Sequence, residues 1–229
     1  ISAPIYLIRP IASLLVLSDR IGPWHDVAAL EARGLRRSDS PIDQRVFKQR
    51  CAGFISVGGA VRPQYASMGL TLMNDMTYPM HIKVVDQIMV LNSNTATQAL
   101  MHEQEVQRVH QLGKNVCENA CKPEEEMSWC GDFDGTCPVC HGNLFTVDNG
   151  DETATCAICG IKGTVSVANG KIHIDFAKDE LIHSRLTKEE CAYHSREIME
   201  SFQAFAPAAS KAKEKAEKYR TYNVEVIKP

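Results

Sequence analysis

Cys51-Ala52-Gly53-Phe54-Ile55-Ser56-Val57-Gly58-Gly59 is the stretch on which the fold turns. It is a continuous apolar run but for Ser56, without polar alternation, and two glycines stop it. A strand of that kind is covered on both faces, as in parallel α/β sheets. Working outward, Ile1 to Ile8 reads as a short apolar strand and His81 to Val90 as another. Between them lie a helical stretch carrying Leu14, Leu15, Leu17, Ile21 and Trp24, a polar loop from Arg33 to Gln44, and a helix across Tyr65 to Met76. Strand, helix, strand, helix, strand at this spacing implies right-handed crossovers and a parallel sheet. Thr95 or Thr97 is placed to cap a long helix reaching about Ala120.

Beyond that helix the pattern changes. Residues 123–136 are acidic and irregular and read as a linker. Two C-x-x-C pairs follow, Cys137/Cys140 and Cys156/Cys159, with fifteen residues between them. Two tight turns of this type aim four sulfurs at one point, the ligand set of a structural zinc site. Iron suits the same turns and would make a rubredoxin-like electron relay; the alternative without metal is two disulfides or four free thiols. Gly142 and Gly160 suit turns where backbone approaches sulfur. Asn143–Val147 and Glu152–Cys156 form one hairpin. Val165–Ala168 and Lys171–Phe176 form another around Asn169-Gly170, a strong two-residue turn signal. Thr187-Lys188-Glu189-Glu190 has the capping-box pattern before a helix to about Phe205. Pro207 interrupts, and Ala208 to Tyr219 is again helical. The expected division is 1–122, a linker at 123–136, a zinc-ribbon-like module at 137–176 and a helical segment at 177–229.

Composition limits the function. With 25 basic against 28 acidic residues the net charge is −3, which argues against an electrostatic nucleic-acid binder. Residues 137–176 carry only Lys162 and Lys171 as Lys or Arg. No apolar run approaches the roughly 20 residues of a membrane span, and the start lacks a signal-peptide pattern. Nine cysteines, an odd number at metal-type spacing, point to a reducing, cytoplasmic setting.

Three segments in order, Ala3-Pro4-Ile5-Tyr6, Ser18-Asp19-Arg20 and Phe54-Ile55-Ser56-Val57-Gly58-Gly59, resemble the flavodoxin-like NAD(P)H-dependent FMN reductase family. Ala3 stands where that family usually has Ser or Thr. The resemblance covers about residues 1–92 and the helix after them. It implies a flavodoxin-like doubly wound parallel sheet, incomplete at its N-terminal side, with FMN at the carboxyl ends of the strands. Carried over, Pro4, Ile5, Tyr6 and Leu7 lie along the flavin ring, and Gly58, Gly59 and Ala60 meet its pyrimidine end; Arg62 and Tyr65 are candidates for a phosphate. The family's phosphate-binding loop would fall upstream of Ile1, so preceding sequence or another chain is expected to complete the sheet. The activity implied is an oxidoreductase passing electrons from a nicotinamide nucleotide through FMN to a small acceptor such as a quinone, a nitro- or azo-aromatic, an enone or a flavin. A homo-oligomer is expected, with the metal module and C-terminal helices as assembly devices. The competing reading is a non-enzymatic, metal-stabilised interaction module.

The remaining residues carry weaker signals. Asp19-Arg20 reads as a structural pair. Trp24 and His25 are candidates to line a substrate pocket. Cys117, Cys121 and Cys130 offer a second metal set, against the plainer reading of free or buried thiols. Cys51 and Cys191 read as inert. His102-Glu103 opens like a zinc-protease helix but finds Val106 where the second His belongs, so it is discarded. His141 is a possible substitute for one sulfur. Lys211, Lys213, Lys215, Lys218 and Arg220, interleaved with Glu214 and Glu217, read as a solvated helix.

Overall fold

The computed structural model describes residues 1–22, 25–132, 137–147 and 150–220. By contact the chain divides into two units, Ile1–Cys191 and Ala192–Pro229.

The first unit is mixed α/β. Strands β1 (Ser2–Tyr6), β2 (Arg9–Pro10), β3 (Arg50–Val57) and β4 (Ile82–Val90) form a sheet in the order β2-β1-β3-β4. β3 lies parallel to both β1 and β4, and β2 folds back antiparallel on β1. The helices are α1 (Ala12–Ile21), α2 (Val27–Ala32), α3 (Gly69–Asp75), α4 (Ala96–Ala99) and α5 (Glu103–Ala120). Neighbouring residues of β3 show why the strand lacks polar alternation. Phe54 is fully buried with Ala3 and Met73, against Leu14 of α1 and Leu70 of α3. Gly53 faces the other way, where an added Cβ would come within 2.6 Å of Val116 and 2.8 Å of Leu112 on α5. Both faces are therefore covered, and the glycine is what lets α5 approach.

One irregularity places a charge inside. Ala52 pairs with Val84 but Gly53 with Asp86, so Val85 is the extra residue of a bulge in β4. Asp86, fully buried, is held by a bidentate pair to Arg108 and by Asn115 Nδ2 at 2.7 Å, both from α5. The carboxylate in turn holds the Arg108 guanidinium charged, above its usual range.

The second sheet is an antiparallel meander of β5 (Phe145–Val147), β6 (Thr153–Cys156), β7 (Lys162–Ala168) and β8 (Lys171–Asp175). Asn169 and Gly170, both at positive φ (53° and 72°), make the β7–β8 turn between the paired Ala168 and Lys171. The four-cysteine cluster at the head of this sheet meets the free edge of β4. Cys130 N–H donates to the Val85 carbonyl at 2.8 Å, extending the sheet's hydrogen bonding past β4. Gln87 Nε2 donates to the His141 carbonyl at 2.9 Å, while Asn74 of α3 donates to Gln87 Oε1 at 2.9 Å. Trp129 stacks on the His141 ring with centroids 4.0 Å apart.

In the second unit, the latter part of α6 (Lys188–Phe205) exposes Ile198, Met199, Phe202 and Phe205; Pro207 sits in a 3₁₀ turn before α7 (Ala209–Arg220), whose lysines are exposed. Thr187 Oγ1 caps α6 by accepting from Glu190 N–H at 3.2 Å. No helix among the described residues is long and apolar enough to cross a membrane.

Three elements differ from expectation. The long helix from Thr95 is two helices. Thr95 caps only α4, and the chain turns at Leu100–His102 because the His102 ring reaches back to the Asn92 carbonyl at 3.0 Å. The helix from Tyr65 begins as a 3₁₀ turn, Pro63–Ala66, before α3. Helix α2 was not anticipated; Asp26 caps it by accepting from Ala29 N–H at 2.9 Å, and its six residues are too few for a periodic signal.

Candidate active-site cleft and cysteine cluster

Parallel strands end on one side, and their exit loops define the cleft. At the carboxyl ends of β1, β3 and β4 lies a cleft of about 690 Å³. Its lining joins Pro4, Ile5, Tyr6 and Leu7 to Gly59 and Ala60, residues more than fifty positions apart in the chain. Gly58 and Arg62 are not among the lining residues. Gly58 packs on Ile5 and Leu91 and donates to the Val90 carbonyl at 2.8 Å, so it supports the loop from behind. Arg62 instead precedes the 3₁₀ turn at Pro63–Ala66, where Tyr65 is exposed. Trp24 lies outside the described residues. His25 lines a different cleft with Arg45, Arg50 and Met80, at the opposite, amino end of the strands.

The far wall was missed from sequence. Ser93, Asn94 and Thr95, with Ala96 and Ala99 of α4, complete the lining. Their loop is braced at several points. Asn92 N–H donates to the Ala60 carbonyl at 2.9 Å and Ser93 N–H to the Gly58 carbonyl at 3.0 Å. Gln98 Oε1 accepts from Asn94 N–H at 2.9 Å. A side chain at Gly59 would collide with Asn94 Oδ1, so the glycine lets the Asn94 side chain lie against this loop. The available signal was positional: a Ser/Asn/Thr run directly after a parallel strand.

The cleft has two characters. Tyr6 and Leu7 on one side and Ala96 and Ala99 on the other are apolar or aromatic; the loops between are small and polar. Such a slot suits a flat ring system with one polar edge.

The other candidate site is the cysteine cluster. The sulfurs of Cys137, Cys140, Cys156 and Cys159 lie within 4.8 Å of one another and all four residues are buried. Two turns of matching design present them. Cys137 N–H donates to Gly142 O at 2.7 Å and His141 N–H to Cys137 O at 2.9 Å; Cys156 N–H donates to Ile161 O at 2.9 Å and Gly160 N–H to Cys156 O at 2.9 Å. The left-handed position falls on His141 (φ 58°) in the first turn and on Gly160 (φ 80°) in the second. Gly142 has another purpose: a side chain there would strike Ile158. Hydrogen bonding among the thiols depresses Cys137 and Cys156 and raises Cys140 and Cys159. Four sulfurs so placed match the roughly 3.8 Å edges of a tetrahedron with metal–sulfur bonds near 2.3 Å. His141 is committed elsewhere, its ring against Trp129 and pushed down to about 4 by burial. Among the described residues this is the one group of cysteines, histidines and acids close enough to share an ion, so Cys117, Cys121 and Cys130 do not form a second. Burial pushes Cys191 up to about 12 and raises Cys51 too, in keeping with inert thiols.

The chain is similar to a curated relative, "Flavone synthase cfoJ" from Aspergillus candidus, at 29% identity over 160 residues, 69% of this chain and 49% of the relative. It thus spans about half the length of that relative. A solved structure named "flavone reductase" superposes on all of this chain and 77% of its own, with a TM-score of 0.82 at 25% identity. Its mixed α/β arrangement is the one found here. No family model matches the chain.

Proposed function

We propose that this chain works as a flavodoxin-like, FMN-dependent oxidoreductase acting on a flat, conjugated ketone of the flavone type. The observation that carries the reading is the cleft, which gathers Pro4–Leu7, Gly59 and Ala60 at the carboxyl ends of parallel strands. The names of the two similar proteins support an oxidoreductase and the substrate class. Bound FMN would supply hydride transfer, taking two electrons and a proton as hydride from a reduced nicotinamide, or from a saturated substrate, and delivering them to an acceptor. The chain's own part is to bind and orient. Pro4, Ile5 and Tyr6, with Ala96 and Ala99, line the slot for the ring plane, and the exposed Leu7 stands at its mouth. The Gly59–Ala60 and Ser93–Thr95 loops present short polar groups and closely approaching backbone to its polar edge. For the cysteine cluster the reading is structural zinc: four sulfurs that fill a tetrahedral shell.

The test is titration of the full-length chain with FMN, following flavin fluorescence, beside Gly59→Val. The parent should take up one FMN and the variant should not, while both keep the same far-UV circular dichroism. A parent that leaves FMN free in solution defeats the flavin reading. Metal content by mass spectrometry decides between zinc and iron.

A further inference from the structure

Two hairpin turns in this chain have the same backbone and opposite chemistry. Asn169-Gly170 joins β7 to β8 with φ of 53° and 72°. Leu7-Ile8 joins β1 to β2 with φ of 52° and 65°, between the paired Tyr6 and Arg9. Two left-handed residues in succession are what a two-residue type I′ turn needs, and Asn-Gly is the sequence that adopts it without strain. Leucine there is strained, and a β-branched isoleucine more so. The first turn is nonetheless fixed: Ile8 O accepts from Met68 N–H at 3.0 Å and Pro4 O from Ile11 N–H at 3.2 Å. The strain does not purchase core packing. Leu7 is 85% exposed and Ile8 42% exposed. Leu7 also lines the cleft, so it stands at the mouth. Beside it Tyr6 is 63% exposed, and the segment to which the turn is tied exposes Val61 and Tyr65. Strained residues held in place at a cleft mouth are a mark of a ligand-contacting element.

We infer that the Leu7-Ile8 turn is a preformed apolar lip that selects a large, flat, apolar substrate by covering the part of it that projects beyond the flavin slot. This rests on the flavin reading above. The lip needs no rearrangement on binding, because its backbone is already locked. A one-ring acceptor lying wholly inside the slot would not reach it, whereas a fused bicyclic ketone bearing a further aryl ring would.

The experiment uses the full-length, FMN-loaded chain and measures dissociation constants for flavone and for FMN. In Leu7→Asn/Ile8→Gly, which installs the turn sequence of the other hairpin, the flavone constant should rise at least tenfold more than the FMN constant. The variant should melt no lower than the parent, because the turn is relaxed. Leu7→Phe, which keeps apolar area, should bind flavone within threefold of the parent. Flavone binding unchanged in the double variant, flavone and FMN weakened in equal measure, or a flavin-loaded parent that ignores flavone would each overturn the lip. A parent that takes up no FMN overturns the reading beneath it, a result distinct from the other three.

Discussion

The pair between Asp86 and Arg108 offers the sharpest quantitative check on the fold. Asp86 is fully buried on the bulged strand, and Arg108 keeps 24% side-chain exposure on the helix above. Replacing Arg108 by Met preserves much of the packing of the stem but leaves the carboxylate with Asn115 Nδ2 as its side-chain donor on α5. Breaking one side of a buried pair costs about 3–5 kcal/mol. The partial exposure of Arg108 puts the value near the lower end, about 3 kcal/mol. With a urea dependence of about 2 kcal/mol/M, the midpoint should fall by roughly 1.5 M. The second arm is Asp86→Asn on the same background. It removes the unpaired charge and should recover more than about 1 kcal/mol, since a neutral amide tolerates burial far better than an unmatched carboxylate. Far-UV circular dichroism in urea, at fixed ionic strength, reads both. A loss under about 1 kcal/mol in Arg108→Met, or a double variant less stable than the single, would refute the picture of a buried charge clamped between strand and helix.

Three further outcomes are expected. Ser56 Oγ is buried without a hydrogen-bond partner against Gly69 of α3, so Ser56→Ala should be neutral or stabilising by up to about 1 kcal/mol, whereas Gly69→Ala should destabilise by about 1–3 kcal/mol; thermal melts distinguish them. Burial lowers the affinity of His81 for a proton, so the folded chain holds it neutral while the unfolded chain protonates it as pH falls below about 6.5. Stability should therefore drop through that range, and His81→Asn, which also tolerates the observed φ of 47°, should flatten the pH profile in urea titrations. Cys156→Ser should abolish stoichiometric metal in mass spectrometry and lower the melting temperature, and a chelator should act on the parent in the same direction; metal retained in the variant would assign the ion elsewhere.

Much of this architecture was legible in the residues because local pattern and global packing agree. Cys51–Val57 is apolar at every step but Ser56, because Gly53 and Phe54 are covered by helices on opposite sides. The cysteine pairs state their own geometry, and Asn169-Gly170 states its turn. What escaped the sequence depended on distant partners. The far wall of the cleft, Ser93–Ala99, is a wall only because Gly58 and Ala60 carbonyls hold its loop. The break at Leu100–His102 follows from one side chain reaching back to Asn92. The left-handed residue of the first cysteine turn is a histidine, His141, which no residue preference announces, and Gly142 beside it is needed for Ile158. Leu7-Ile8 was unreadable as a turn because its residues are those a turn ordinarily rejects.

The join at Cys130 and Gln87 has a bearing on how the protein ages. An outermost strand of a parallel sheet invites addition of a neighbour's backbone. Here that invitation is withdrawn by Cys130 and by His141, the latter directly following one of the four clustered sulfurs. Oxidation of these sulfurs, or loss of the ion proposed to join them, would thus do more than loosen an appendage: it would weaken the cover on the flank of β4. Storage under reducing, metal-replete conditions should accordingly protect against sheet-mediated clumping more effectively than added salt or dilution alone.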